Sequence, residues 1–122
     1  MPAYNEAHRI GKTIKELKAY FETKAFSFEV IVVSDGSQDS TARTVAEYAK
    51  EMPELKILSY SPNRGKGFAV HTGMQAAKGK YRLYMDADHA INISHLNNFL
   101  PEIERGADIV IGSVHLEGSK IR

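Results

Sequence analysis

Residues 29–37 read Glu-Val-Ile-Val-Val-Ser-Asp-Gly-Ser, and this stretch decides the fold. Its centre, residues 30–33, is a continuous run of β-branched side chains instead of an alternation of apolar and polar ones. A short run of this kind is typical of a strand whose two faces are both covered, as in a parallel sheet. We therefore predict a buried strand over residues 29–34, followed by a turn at Asp35 and Gly36.

On both sides of this strand, helical spacing alternates with short apolar runs. The helical spacing predicts helices over residues 6–23, 40–51, 67–78 and 94–104, and the apolar runs predict further strands over residues 55–60, 81–85 and 108–112. Strands joined by crossover helices run parallel, so this order predicts an α/β sandwich with helices on both faces of the sheet. Ligands bind such sheets at the carboxyl ends of the strands, which selects the residues that follow each predicted strand.

The composition is that of one globular domain. The 122 residues are 43% hydrophobic and 25% charged, with a net charge of +1 and no cysteine. These values argue against a disordered chain and a dedicated nucleic-acid-binding protein. The longest continuous apolar run, residues 30–33, is far shorter than the roughly 18 residues of a membrane span. The lack of cysteine excludes disulfides, a thiol nucleophile and a thiolate zinc site. Because no signal peptide is recognisable, we expect a cytoplasmic location or one at the cytoplasmic face of a membrane.

Asp35 is the first candidate site residue, because it ends the central predicted strand. A carboxylate in that position can accept hydrogen bonds from a ligand, for example from a base or a ribose. Turn and cap chemistry is the alternative explanation, and we assign it to Asp39, Ser40 and Thr41, which precede the next predicted helix.

The second candidate is the loop of residues 63–67, Asn-Arg-Gly-Lys-Gly. Its glycines permit close approach to the backbone, and its cations, Arg64 and Lys66, are suited to phosphate oxygens. Residues 55–85 contain six Lys or Arg and no Asp or Glu, which makes this region locally positive. We predict that Lys66 and Arg64 contact an anion; a solvated turn is the alternative.

The same loop imitates a dinucleotide-binding fingerprint over residues 65–70. Val70 stands where that fingerprint requires a small residue, so the match is imperfect. An NAD-dependent oxidoreductase is therefore a secondary hypothesis.

The third candidate is the Asp86-Ala87-Asp88 sequence, directly after the predicted strand 81–85. In an extended segment the side chains of residues i and i+2 point to one side, and two carboxylates there need a compensating cation. Oxygen ligands suit Mg²⁺ or Mn²⁺, which we predict as the cofactor, with His89 as a further candidate contact. A polar loop that caps the next helix is the alternative.

Four segments together resemble the nucleotide-sugar-binding part of family 2 glycosyltransferases with the GT-A fold. In chain order they are Pro-Ala-Tyr-Asn-Glu at 2–6, Val-Val-Ser-Asp-Gly-Ser at 32–37, Asn-Arg-Gly-Lys-Gly at 63–67 and Asp-Ala-Asp at 86–88. They are most similar to the polyprenyl-phosphate branch, which includes dolichyl-phosphate glucosyl- and mannosyltransferases. The resemblance implies a GT-A, Rossmann-like three-layer α/β/α sandwich with a mainly parallel sheet.

The resemblance also implies roles for individual residues. Asp86 and Asp88 would be the catalytic D-x-D pair, with Asp88 and Asp86 on a Mg²⁺ or Mn²⁺ ion. The residues implied to contact the nucleotide are Pro2, Ala3, Tyr4, Glu6, Asp35, Arg64, Lys66 and Asp86. The implied donor is a nucleotide sugar of the UDP-glucose type, the implied acceptor is a polyprenyl or dolichyl phosphate, and the transfer would invert the sugar carbon; no nucleic-acid partner is implied.

The sequence departs from the family pattern in three ways. Ser34 stands where the family usually has an Asp, which removes one polar group from the nucleoside site. Ala90 stands where mannosyl enzymes carry a Gln, which weakens a GDP-mannose assignment. Family members also carry a strand before Pro2 and an acceptor half after the last predicted strand. We therefore expect residues 1–122 to be the nucleotide-sugar-binding part alone, with any membrane contact made by regions outside it. The open sheet would then be covered by a rearrangement of its strands, by a partner chain in an oligomer, or by residues outside the sequence. A nucleotide-binding fragment without turnover is the alternative function.

Overall fold

The structure is a computed structural model that describes residues 1–88 and 90–113. The chain divides into two units, Met1–Asn92 and Ile93–Arg122. The elements of the first unit are β1 (Pro2–Ala3), α1 (Ile10–Glu22), β2 (Val30–Asp35), α2 (Thr41–Ala49), β3 (Leu55–Tyr60) and α3 (Lys66–Ala76). The described part of the second unit contains a 3₁₀ turn (Ile93–His95) and α4 (Leu96–Glu104).

The first unit is built on a parallel sheet of order β1-β2-β3. Pro2 pairs with Val33, and β3 pairs with β2 along its whole length, from Val30 with Leu55 to Asp35 with Tyr60. Helices α1 and α2 pack against each other, whereas α3 packs on β1 and β2. Right-handed crossovers place α1 and α2 on one face of this sheet and α3 on the other. The predicted α/β architecture is confirmed.

The core lies around β2, as the β-branched run predicts. Val32 and Val33 are fully buried, and α1 contributes a buried stripe that includes Ile10 and Ile14. Gly73 in α3 explains how a helix comes so close to this strand: a Cβ there would lie 3.2 Å from a γ-methyl of Val33. The glycine that lowers the helix propensity of α3 therefore also permits its packing.

Two of the predicted strands are wrong. Residues 81–85 and 108–112 have no regular structure, and they expose Tyr81, Leu83, Ile109 and Ile111. A strand forms only where a neighbouring edge pairs with it. Helix α3 leads the chain back to the β1 side of the sheet, where β1 presents two residues, too few for a partner of five. The described part of the second unit likewise holds no strand with which residues 108–112 could pair.

The chain start also differs from expectation. Pro2 and Ala3, predicted to follow a strand, themselves form the short strand β1 beside β2. The first helix begins at Ile10, four residues later than its spacing predicts, because residues 4–9 form turns instead. Among the helices of the described residues, none is both long enough and apolar enough to cross a bilayer.

Candidate functional site

An open cleft of about 280 Å³ lies where the parallel strands end. Four separate segments of the chain supply its walls. Its lining residues are Pro2, Ala3, Tyr4, Glu6, Asp35, Lys66, Asp86, Ala87 and Asp88. Of the site residues that we predict, all but Arg64 and His89 are in this set, and His89 lies outside the described residues. The fold thus brings together positions that are up to 86 numbers apart along the chain, from Pro2 to Asp88.

The loop after β1 is held in place by the loop after β2. Asn5 has a left-handed backbone, with φ of 52°. Its side-chain oxygen accepts a hydrogen bond from the backbone N–H of Gln38 at 2.9 Å, and its own N–H donates to Ser37 Oγ at 3.1 Å. These bonds turn Tyr4, which is about half exposed, toward the cleft.

Asp39 performs a capping role and a second role that the sequence does not reveal. Its carboxylate accepts from the backbone N–H of Thr41 at 2.9 Å and from that of Ala7 at 3.1 Å. Burial by itself raises the pKa of Asp39, but the hydrogen bonds from Thr41 and Ala7 more than offset it and hold the pKa below its usual value. Ser40, also predicted as a cap, makes no side-chain cap bond to the helix.

Glu6 lines the cleft as an ion pair with Arg9, a residue that sequence reasoning missed. The Arg9 guanidinium donates to both carboxylate oxygens of Glu6, from Nε at 2.7 Å and from Nη2 at 2.8 Å. This fork geometry fixes the orientation of the carboxylate. The spacing of three residues at the start of α1 was the available signal.

The carboxylate of Asp35 is surrounded by hydrogen-bond donors of the chain itself. Oδ1 accepts from the Tyr60 hydroxyl at 2.7 Å and from the Arg64 N–H at 2.8 Å. Oδ2 accepts from Asn63 Nδ2 and from the Gly65 N–H, both at 2.9 Å. Burial raises the pKa of Asp35, and the bonds from Arg64, Tyr60 and Gly65 outweigh this effect, so its pKa is lowered.

Asp35 is therefore the anchor of the loop that leads into α3. A carboxylate has about four acceptor positions, and loop donors occupy all four here. Its predicted contact with a base or ribose stays a prediction, and such a contact would need one of these bonds to be exchanged. Burial and the neighbouring Asp35 raise the pKa of Tyr60 to about 12, so Tyr60 remains a donor.

Gly36 makes this anchor geometrically feasible. It has a φ of 68°, and a Cβ there would lie 2.4 Å from the backbone nitrogen of Asn63. The turn after β2 can thus lie against the loop after β3 only with a glycine at this position.

The two predicted anion-binding cations have different surroundings. The Arg64 guanidinium stacks on the ring of Phe68, 3.7 Å from its centroid, and Arg64 does not line the cleft as the described residues form it. Lys66 does line the cleft. Of the two cations, Lys66 therefore lines the cleft and Arg64 does not. The predicted nucleotide contact of Arg64 stays a prediction.

Lys66 forms an ion pair with Asp86 across the cleft, with an Nζ–Oδ1 distance of 2.7 Å. The Tyr84 hydroxyl donates to the same oxygen at 2.6 Å. The hydrogen bond to Asp86 raises the pKa of Lys66. Burial acts to raise the pKa of Asp86, but Lys66 and Tyr84 outweigh it and lower that pKa. Lys66 thus compensates the charge of Asp86 in this structure.

Asp88 lines the cleft beside Asp86, and its Oδ1 also accepts from the backbone N–H of Ala90 at 3.0 Å. Over residues 1–88 and 90–113, no group of three or more His, Asp or Glu side chains is arranged to hold a metal ion. Two carboxylates on an open cleft nevertheless fit Mg²⁺ or Mn²⁺, which commonly take one or two protein carboxylates and complete their shell with phosphate oxygens and water. His89, the further candidate ligand, lies outside the described residues.

Comparison with known proteins places the chain in one family. The model of the glycosyl transferase family 2 matches residues 1–122. Among curated proteins, the dolichyl-phosphate beta-glucosyltransferase ALG5C of Trichomonas vaginalis is 38% identical over 98% of this chain and 39% of its own length. The dolichyl-phosphate beta-glucosyltransferase of Drosophila melanogaster is 40% identical over 99% of this chain and 41% of its own length.

A third relative extends the comparison to fungi. The dolichyl-phosphate beta-glucosyltransferase of Saccharomyces cerevisiae is 34% identical over 86% of this chain and 33% of its own length. The chain thus spans about two fifths or less of the length of these relatives.

Proposed function

The chain belongs to glycosyl transferase family 2, and on that premise we propose that it is the donor-binding part of a sugar transferase. The donor is a nucleoside diphospho-sugar of the UDP-glucose type, and the acceptor is a dolichyl or polyprenyl phosphate. The names of the relatives, dolichyl-phosphate beta-glucosyltransferases, support both the acceptor and the sugar.

The observation that carries the proposal is the composition of the cleft. Lys66 from the start of α3 meets Asp86 and Asp88, from the irregular segment after that helix, across one opening beside Pro2 and Ala3. A diphosphate needs both a fixed cation and a site for a divalent ion, because it carries several negative charges in a small volume. This cleft offers an ammonium group and a carboxylate pair within the reach of one such ligand.

The chemistry follows from the charge that develops during transfer. An oxygen of the acceptor phosphate attacks the anomeric carbon, and the bond from that carbon to the diphosphate oxygen breaks. The electron pair stays on the nucleoside diphosphate, and attack from the opposite side inverts the carbon. The acceptor phosphate is already ionised near neutral pH, so it needs little help from a base.

The residues of the chain then act on the leaving group. Asp86 and Asp88 would hold Mg²⁺ or Mn²⁺, which when bound supplies positive charge to the diphosphate as it leaves. Lys66 adds a second positive charge from the start of α3. Tyr84 orients the Asp86 carboxylate through its hydroxyl. Stabilisation of developing charge by preorganised groups is commonly the largest contribution to catalysis.

Calorimetric titrations test the binding half of the proposal. UDP, GDP and NAD are titrated into the chain, each with and without Mn²⁺. We expect UDP to bind in a Mn²⁺-dependent manner and Asp88→Ala to remove that dependence. Asp108→Ala is the matched control, because it deletes an exposed carboxylate that does not line the cleft. Equal UDP affinity for Asp88→Ala and the unmodified chain in Mn²⁺ would refute the assignment of Asp88 to the metal.

A turnover assay separates a transferase from a module that only binds nucleotide. The chain is incubated with UDP-glucose, Mn²⁺ and dolichyl phosphate, and the release of UDP is measured. Release that depends on dolichyl phosphate supports transfer by the chain itself. Binding of UDP without any release supports the alternative, a nucleotide-binding fragment without turnover.

The oxidoreductase hypothesis is the least favoured. A dinucleotide fingerprint uses the backbone N–H groups of its loop to hold the pyrophosphate. Here the N–H groups of Arg64 and Gly65 donate to Asp35 instead. If NAD binds and Mn²⁺ has no effect on that binding, the oxidoreductase hypothesis would be favoured over the transferase.

A further inference from the structure

Thr13 is a buried polar side chain that is far in sequence from Ala87, a residue of the cleft wall, but is hydrogen-bonded to it. It lies in α1 among the apolar side chains of Ile10, Ile14 and Leu17, and its exposed fraction is 1%. Its hydroxyl donates to the backbone oxygen of Ala87 at 2.8 Å, across 74 positions of the chain.

This bond is unusual for a threonine inside a helix. A helical Thr hydroxyl commonly donates to the carbonyl four residues earlier, within its own helix. The hydroxyl of Thr13 instead donates to a distant loop. The polar group in the buried stripe of α1 therefore bonds to a distant segment and not to its own helix.

The accepting residue lies between the two predicted metal ligands. Ala87 is 3% exposed, and it separates Asp86 from Asp88, both of which line the cleft. Residues 81–85, just before it, are not held by strand pairing. The hydrogen bond from Thr13 thus restrains the backbone at Ala87, directly after a stretch that pairs with no strand among the described residues.

We propose that Thr13 is a positioning residue for the divalent cation, acting through the Ala87 carbonyl to hold Asp86 and Asp88 toward the cleft. The inference rests on the proposed function, because it concerns the cation that the two carboxylates would bind. Residues that orient metal ligands without touching the metal commonly change metal affinity by 10- to 100-fold when they are replaced. Without the hydroxyl, the Ala87 carbonyl loses the hydrogen bond that Thr13 donates to it in a residue that is 3% exposed. A buried carbonyl that loses its donor lowers stability, so the segment is expected to shift until that oxygen reaches water.

The test compares three variants of the full chain by calorimetric titration of Mn²⁺ in the presence of saturating UDP. Thr13→Val removes the hydroxyl and keeps the shape of the side chain. Thr13→Ser keeps the hydroxyl and is the rescue variant. Ile14→Val disturbs the same buried stripe one residue away and leaves the Thr13 hydroxyl in place, so it controls for a general loosening of the core.

We expect Thr13→Val to weaken Mn²⁺ binding about tenfold or more, while Thr13→Ser and Ile14→Val bind Mn²⁺ as the unmodified chain does. Unchanged Mn²⁺ affinity in Thr13→Val overturns the proposal, and so does an equal loss in Thr13→Val and Ile14→Val. If Thr13→Val does not fold, Thr13→Ala gives the same comparison without placing a new methyl group against the carbonyl.

The outcome for the unmodified chain separates this inference from the proposed function. If the unmodified chain with UDP does not bind Mn²⁺, the proposed metal-dependent function is refuted, and the role of Thr13 is refuted with it. If the unmodified chain binds Mn²⁺ and Thr13→Val binds it equally well, only the role of Thr13 is refuted.

Discussion

Replacement of Asp35 by asparagine tests whether this carboxylate holds the loop between β3 and α3. The substitution keeps the shape of the side chain and removes its charge. The carboxylate is 3% exposed and accepts hydrogen bonds from Tyr60, Asn63, Arg64 and Gly65 at 2.7–2.9 Å. An asparagine can accept on one side only, because its amide nitrogen is itself a donor.

The expected cost follows from the donors that lose their acceptor. The Tyr60 hydroxyl can rotate and accept from the introduced amide, so the nitrogen of that amide is best placed on the Tyr60 side. The Arg64 N–H then faces another donor, and a buried donor without a partner costs about 1–3 kcal/mol. The remaining bonds also lose the strength that a charged acceptor gave them. We expect a total loss of about 2–4 kcal/mol in the free energy of unfolding.

Urea unfolding followed by circular dichroism measures this loss. With a slope of about 2 kcal/mol per molar urea, a loss of about 3 kcal/mol lowers the midpoint by about 1.5 M. Asp108→Asn is the control, because Asp108 is exposed and a surface change of this kind stays within about 0.5 kcal/mol. An Asp35→Asn midpoint that moves no further than the control would refute the anchoring role.

The dependence on pH gives a second check with a defined sign. The pKa of Asp35 is lower in the folded chain than in the unfolded one, so the ionised carboxylate favours folding. Its contribution is complete above the unfolded value of about 3.9 and is lost as the pH falls through the lower folded value. The difference in stability between the unmodified chain and Asp35→Asn should therefore shrink as the pH falls below about 4. A difference that stays constant to low pH would contradict the assignment.

Two further predictions concern the cleft and its supporting turn. Lys66→Met should weaken UDP binding about tenfold in calorimetry, since one charge-assisted hydrogen bond is lost. It should change the free energy of unfolding by less than about 1 kcal/mol, because the pair of Lys66 with Asp86 is exposed. Unchanged UDP affinity would contradict the role of Lys66. Gly36→Ala should lower stability by more than about 2 kcal/mol, because the new methyl group meets the Asn63 nitrogen at a positive φ. Gly106 also has a positive φ, but among the described residues no atom beyond its chain neighbours lies within 4 Å of an added Cβ. Gly106→Ala should therefore show the backbone strain alone in urea unfolding, about 1–2 kcal/mol. Equal losses in the two variants would refute the close contact at Gly36.

The elements that could be predicted are those whose signal is local. The strand β2 follows from a run of β-branched residues that no helix pattern matches, and it forms at Val30–Asp35, shifted by one residue from the predicted 29–34. Helix α2 likewise follows from the spacing of Val45 and its neighbours. The residues 81–85 have a similar apolar signal and form no strand, because a strand also needs an edge of sufficient length to pair with.

In the candidate site too, residues with a local signal could be predicted, and residues whose role depends on a distant partner could not. Lys66, Asp86 and Asp88 were selected because the rule for parallel sheets points to the residues after strands, and all three line the cleft. Asp86 and Asp88 do so although the strand predicted before them, over residues 81–85, does not form. Thr13 and Tyr60 were missed, because their roles depend on partners 74 and 25 positions away. A polar residue inside the apolar stripe of α1 was the one signal that could have drawn attention to Thr13.

The sequence alone determined the α/β alternation, the family resemblance and the positions that meet at the ends of the strands. These features depend on side-chain period and on short motifs, which are properties of neighbouring residues. Only the tertiary structure decided that Asp35 anchors a loop, that Lys66 pairs with Asp86 and that Thr13 supports the carbonyl between the two carboxylates. The physical reason is that a hydrogen bond or an ion pair is decided by distances of about 3 Å, and between residues far apart in the chain those distances are set only when the helices and strands pack together.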